Sequence, residues 1–136
     1  MRAPLALSLL LLAPACLWRS YAGVMRVHLD VLSAMADKAA YNAQIGRRPT
    51  SNDVTELIYP LQRARQFAYQ YRASAQRESF ASFVAALDRY QALVDAIDAA
   101  RGDAARWEIE RTQLPAQYAA WRGAAERTRS ALAREG

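Results

Sequence analysis

The chain has 136 residues, which is enough for one domain and too few for two. Its 53% hydrophobic and 23% charged residues are typical of a globular protein and exclude bulk disorder. The net charge of +5 is compatible with anionic partners, while the single Cys and the single His exclude a disulfide framework and most metal centres built on those residues. Alanine is abundant and β-branched residues are sparse, which favours helix over sheet.

The first 15 residues have the layout of a secretory signal peptide, which precedes a single helical domain over residues 16–136. Arg2 provides the positive charge, Leu5 to Leu12 the apolar run, and Ala13 to Ala15 the small-residue exit before a cut at Cys16. The uncharged stretch is shorter than the roughly 20 residues of a spanning helix. A second cleavage site stands before Gly23. An uncleaved membrane anchor and a buried N-terminal core helix are the alternatives.

The residues around the first cut resemble a bacterial lipobox. They read Leu12-Ala13-Pro14-Ala15-Cys16, with Ala13 where a lipobox most often has Leu. The resemblance implies that Cys16 receives diacylglycerol and becomes the new N-terminus. Since Leu17 and not an acidic residue follows, it also implies sorting to the outer membrane.

Two helices are expected in the first half of the domain. The first runs from Ser20 to Ala43, and Gly46 prevents it from continuing. Its core-facing stripe comprises Val24, His28, Val31, Leu32, Met35 and Ala39. The second begins near Asp53, which with Glu56 has the spacing of a capping box. Pro60 either interrupts this helix or starts it, and residues 60–72 are helical in both cases.

Two further helices are expected in the second half. The third covers residues 77–101, with a stripe formed by Phe80, Phe83, Val84, Leu87, Tyr90, Val94 and Ile97. No Gly or Pro separates it from the second, so the two are either distinct or one helix of about 40 residues. The fourth runs from Asp103 to Ala133, is kinked or split at Pro115, and has a stripe formed by Trp107, Leu114, Tyr118, Trp121, Ala125, Thr128 and Leu132.

These elements predict an all-α fold, an antiparallel up-and-down bundle of three or four helices after the N-terminal signal segment. The short connections at residues 46–50 and at Gly102 require antiparallel neighbours. An extended helical hairpin that packs on a partner protein is the alternative.

The residues of a recognisable active site or cofactor site are absent. His28 is the only histidine, and Met25 and Met35 lie on the same helix, so neither can supply the opposite axial ligand of a haem. No phosphate-binding or dinucleotide-binding motif occurs. We therefore expect no enzyme, no metal, no cofactor, no small-molecule substrate and no nucleic acid partner, and we interpret His28 as a residue at the edge of the core, paired with a carbonyl or a carboxylate.

One stretch of the second helix combines aromatic residues with arginines, the residue types enriched at binding hot spots. This candidate interaction face comprises Tyr59, Arg63, Arg65, Phe67, Tyr69, Tyr71 and Arg72. The plain alternative is a bundle helix whose half-buried tyrosines are shielded by arginines.

The sequence thus predicts a non-enzymatic exported envelope protein that is lipid-anchored and acts on another envelope protein or on the membrane surface. The expected location is the periplasmic side of the outer membrane, with a soluble periplasmic or an inner-membrane-anchored form as alternatives. The alternative functions are a periplasmic ligand- or metal-binding bundle and a membrane protein with an uncleaved signal anchor.

Overall fold

Four α-helices and one short 3-10 helix form the fold in a computed structural model, which describes the backbone of residues 3–136 and the side chains of residues 21–136. The elements are α1 (Ala3–Gln44), α2 (Ser51–Gln70), the 3-10 helix (Arg72–Ser74), α3 (Glu78–Ala100) and α4 (Ala104–Glu135). No strand occurs within this described range, and the predicted all-α class is confirmed. The side chains of the predicted signal peptide and of Cys16 lie outside the described residues, so the signal segment stays a prediction. Over the described part of the chain, none of the helices has the length and apolar character to cross a bilayer.

Side-chain contacts show that neighbouring helices run in opposite directions and that α4 returns to lie beside α1. Residues early in one helix contact residues late in the next, and the reverse holds at the other end. The pairs that define this order are Tyr21–Tyr71 and Lys38–Glu56 between α1 and α2, Phe67–Phe83 and Leu57–Tyr90 between α2 and α3, Glu78–Arg134 and Tyr90–Trp121 between α3 and α4, and Asp30–Arg129 and Asp37–Tyr118 between α1 and α4. The protein is therefore a helical bundle, and the extended hairpin is not observed.

Helix α2 begins with a capping box whose position differs from the predicted one. Thr50 is the N-cap, and its hydroxyl accepts a hydrogen bond from the Asp53 N–H at 3.2 Å. The Asp53 carboxylate in turn accepts from the Thr50 N–H at 2.8 Å. Asp53 is thus the last residue of the box and not the first, and Glu56 instead pairs with Lys38 at 3.0 Å. Upstream, α1 ends before Gly46, whose φ of +75° is the left-handed conformation that favours glycine.

The second and third predicted helices are separate elements. Helix α2 ends at Gln70, and the 3-10 helix and a short turn lead to α3 at Glu78. Both interior prolines are accommodated, because α2 continues through Pro60 and α4 continues through Pro115. Helix α2 has buried residues both before and after Pro60 in the sequence. An interior proline costs about 3 kcal/mol in an isolated helix, and we attribute its tolerance here to this packing.

The stripes predicted for the third and fourth helices form a large part of the core. All of their members are buried except Val84 and Tyr118, which are partly buried against the core. Trp121 is among the largest fully buried side chains, and its ring meets that of Tyr90 edge-on at 5.3 Å. The Asp103 carboxylate accepts hydrogen bonds from two backbone N–H groups in the first turn of α4, as expected of an N-cap. Helices α3 and α4 therefore pack as the predicted hairpin.

Helix α1 presents a different face to the core from the predicted one. The buried residues are Tyr21, Met25, Leu29, Leu32, Ala36 and Ala43. Of the predicted stripe, only Leu32 is buried, and most of the others precede a buried residue by one position, which corresponds to a rotation of about 100°. The sequence offers two apolar rows on this helix, and the row with Tyr, Met and Leu side chains buries more apolar area than the valine row. The larger side chains occupy the core, and the valines remain outside.

Candidate functional site: the groove between α1 and α2

An open groove runs along the outer side of the bundle between α1 and α2, and we call it the α1–α2 groove. Two adjoining depressions of about 380 and 660 Å³ form it, and they share Val31, Pro60 and Arg63. Its α2 side extends from Thr55 to Gln70. At 1.5 Å per residue this length is about 22 Å, or roughly four helical turns.

Exposed valines form the α1 wall of the groove. Val24, Val27 and Val31 are 37%, 59% and 44% exposed, and they are spaced by three and four residues on one side of the helix. Across from them on α2, Tyr59 is 59% exposed and lies beside the proline ring of Pro60. Contiguous apolar surface of this kind marks interaction sites more often than isolated apolar residues do.

Arg63 is the charged residue common to both halves of the groove. Its guanidinium lies over the ring of Tyr59, 5.3 Å from the ring centroid, in a cation–π contact. Among the side chains of residues 21–136, no carboxylate pairs with it. By contrast, Lys38 at one end of the groove is paired with Glu56. The middle of the groove is therefore positively charged.

His28 lies where the groove meets the core. Its ring is half-buried and contacts the ring of Phe67 at a centroid distance of 5.1 Å. Burial lowers the pKa of His28 below the ordinary 6.5, and the positive charge of Arg63 lowers it further. The predicted position at the edge of the core is confirmed, although the recorded partner is an aromatic ring and not a carbonyl or carboxylate. Within residues 21–136, no group of three or more His, Cys, Asp or Glu side chains could hold a metal ion.

The structure divides the predicted interaction face among several surfaces. Only Tyr59 and Arg63 lie in the groove as exposed or charged side chains. Phe67 is buried in the core beneath it, and Tyr71 is partly buried against the core. Residues on a helix that are separated by two positions point about 200° apart, so a continuous run of aromatic and basic residues cannot form one face.

The remaining members of the predicted face lie outside the groove, on other sides of α2 and in the 3-10 helix. Arg65 pairs with Asp88 of α3 at 3.2 Å. Tyr69 is 67% exposed at the end of α2, and the Arg72 guanidinium lies 4.2 Å from its ring centroid. These residues do not contribute to the α1–α2 groove.

Sequence reasoning missed the valine wall and Pro60. A signal for the valines was present, since α1 carries two apolar rows and only one of them can face the core. Comparing the side-chain sizes of the two rows would have left Val24, Val27 and Val31 on the surface. No comparable signal identifies Pro60, because its exposure depends on how α1 and α2 pack together.

Comparisons with protein-family models, with curated proteins and with solved structures found no match to this chain. The functional inference therefore depends on the chemistry of the site and of the N-terminal segment, as it must whenever a fold alone is known.

Proposed function

We propose that the protein is a non-enzymatic exported protein of the cell envelope, attached to a membrane through Cys16 and acting by contact with a partner protein at the α1–α2 groove. The observation that carries this proposal is the exposed valine wall opposite Tyr59 and Arg63. A bundle with a well-filled core gains nothing in stability from leaving apolar residues in a row on its surface. A partner that covers them removes this apolar surface from water.

The arrangement of polar groups in the groove supports binding over catalysis. General acid–base catalysis needs a proton donor or acceptor held within reach of a substrate together with groups that orient it. In the groove, His28 is held against Phe67, and Lys38 and Glu56 neutralise each other. Arg63 with Tyr59 instead resembles the pairs of residue types that dominate the energetics of protein interfaces.

Attachment to a membrane is supported by the N-terminal sequence. The apolar run and the small residues before Cys16 resemble a lipoprotein signal, and several acyl chains on one cysteine give stable attachment, whereas one chain does not. The helical domain follows within a few residues. Its groove would then lie close to the membrane, where partners anchored in the same membrane are concentrated.

Mass spectrometry of the mature N-terminus from native cells tests the proposed location. We expect a chain that begins at Cys16 and carries acyl chains, and we expect it in the membrane pellet. Cys16→Ser should shift the protein to the supernatant, because the attachment site is lost. Ser130→Ala, at an exposed position of α4, is the control and should leave the protein in the pellet. An intact chain with Met1, recovered among cytoplasmic proteins, would refute the proposed location.

A further inference from the structure

We infer that the α1–α2 groove binds an amphipathic helix of a partner protein, and that an acidic side chain of this helix pairs with Arg63. This inference rests on the proposed function and names the chemistry of the partner. Three features support it, namely the shape of the groove, its apolar wall and its uncompensated charge.

The shape of the groove fits a helix. It lies between two antiparallel helices and is roughly four turns long, which is the size and form of the groove that bundles offer to one additional helix. Val24, Val27 and Val31 follow one another at the spacing with which helix surfaces interdigitate. A partner helix therefore needs apolar residues at spacings of three and four along one side.

The charge of the groove fits an acidic residue. Arg63 lies in the middle of the groove and, within the described side chains, has no carboxylate partner. Its guanidinium is already held over Tyr59, so a carboxylate can pair with it at a small additional cost in side-chain entropy. The net positive charge of the chain also attracts an acidic partner over longer distances.

The same features disfavour other occupants. A second copy of this chain would bring a net positive charge to a positively charged groove, and the two charges repel. A single acyl chain would remain largely exposed, because the groove is open along its length, whereas sites for small ligands bury most of the ligand. Both occupants are distinct outcomes of the experiment below.

Photo-cross-linking of the full chain in its native cells tests the inference. A photoreactive amino acid replaces Val27, and mass spectrometry identifies the peptide to which it becomes attached. We expect a peptide of another protein in which apolar residues recur at spacings of three and four and which contains Asp or Glu on the same side. The same label at Ala92, an exposed position of α3, is the control and should not capture this peptide.

A charge exchange then tests the role of Arg63. Arg63→Glu should lower the yield of the cross-link about tenfold, because it places like charges together. Changing the acidic residue of the partner to Arg should restore the yield in the Arg63→Glu background. Arg89→Glu makes the same change at an exposed position of α3 and should leave the yield unchanged. Circular dichroism melting curves show whether both variants are folded.

Four results would overturn the inference. They are a cross-link to this chain itself, a cross-link to lipid, no cross-link at Val27, and a yield that Arg63→Glu does not change while the variant remains folded. The outcome is separable from that of the proposed location. A partner helix in the groove of a chain without lipid on Cys16 refutes only the attachment, whereas a lipidated chain with an empty groove refutes only the partner.

Discussion

His28 is the residue through which pH acts on the groove. Burial and the nearby Arg63 lower its pKa below the ordinary 6.5, so the folded chain releases this proton more readily than the unfolded chain does. A histidine whose pKa is lower in the folded chain than in the unfolded chain contributes its full stability when the pH is above the pKa of the unfolded chain. That contribution is lost as the pH falls from about 6.5 through the folded pKa.

We expect an NMR titration of the full chain to give a pKa below 6.5 for His28, whose signals are unambiguous because it is the only histidine. Arg63→Gln should raise this pKa, since it removes the positive charge that opposes protonation. Arg89→Gln, at an exposed position of α3, should not change it. A pKa above 6.5 in the unaltered chain would show that His28 is not held as the structure describes.

At the scale of the elements, the two apolar rows of α1 predict different changes in the free energy of unfolding for substitutions two residues apart. Leu29 is fully buried, whereas Val27 is 59% exposed. Leu29→Ala should lower the free energy of unfolding by about 2–5 kcal/mol, the usual cost of truncating a buried leucine. Val27→Ala should change it by less than about 0.5 kcal/mol. Urea unfolding followed by circular dichroism measures both, and a larger loss from Val27→Ala would contradict the exposed position of Val27 on α1.

The buried face of a helix could be predicted from the sequence where the helix has one apolar face, and could not where it has two. In α3 and α4 the large apolar residues are confined to one side, so their period identifies the core face. In α1 the same period fits two faces, and the choice depends on which row buries more area against the other helices. The capping box of α2 was recognised from Asp53, but the N-cap is Thr50, because Asp53 fits either end of the box.

The candidate site could be predicted only in part for the same reason. Tyr59 and Arg63 were identified from residue type alone, and they lie together in the groove. Phe67 has the same residue-type signal, yet it is buried because its position on the helix faces the core. The α1 wall depends on the packing of two elements, which residue type does not report.

At the scale of the whole molecule, one hydrogen-bonded cluster joins α1, α3 and α4 at the end of the bundle that contains Tyr21 and Glu135. The Ser79 hydroxyl donates to Glu135 Oε2 at 2.5 Å and lies 2.9 Å from the Tyr21 hydroxyl. The Ser79 N–H also donates to Glu135 Oε1 at 3.0 Å. Since Ser79 is completely buried, the bonds of its hydroxyl are protected from competition with water.

Ser79→Ala should therefore lower the free energy of unfolding by about 1–3 kcal/mol, because it removes the hydroxyl that Tyr21 and Glu135 share. Ser82→Ala, three residues along the same helix at a less buried position, is the matched control and should have little effect. Thermal or urea unfolding distinguishes the two. Equal stabilities for the two variants would contradict a coupling of α1, α3 and α4 through Ser79.

The bundle as a whole was predictable because its connections are short. Few residues link α1 to α2 and α3 to α4, so successive helices must reverse direction. The break between α2 and α3 was not predictable from the residues it contains. No Gly or Pro marks it, and it occurs where the rings of Phe67, Tyr71 and Tyr21 pack together.

The positions of Gly136 and Gly102 at opposite ends of the bundle matter for anyone who attaches a fluorescent label to this protein. Gly136 and Tyr21 line one depression, so Gly136 lies beside the first residue whose side chain the structure describes. At the opposite end, Arg48 donates a hydrogen bond to the carbonyl of Arg101, which places the two tight connections next to each other. A fluorescent domain fused after Gly136 would crowd Tyr21 and the residues beside it, whereas one inserted at Gly102 would lie at the opposite end of the bundle.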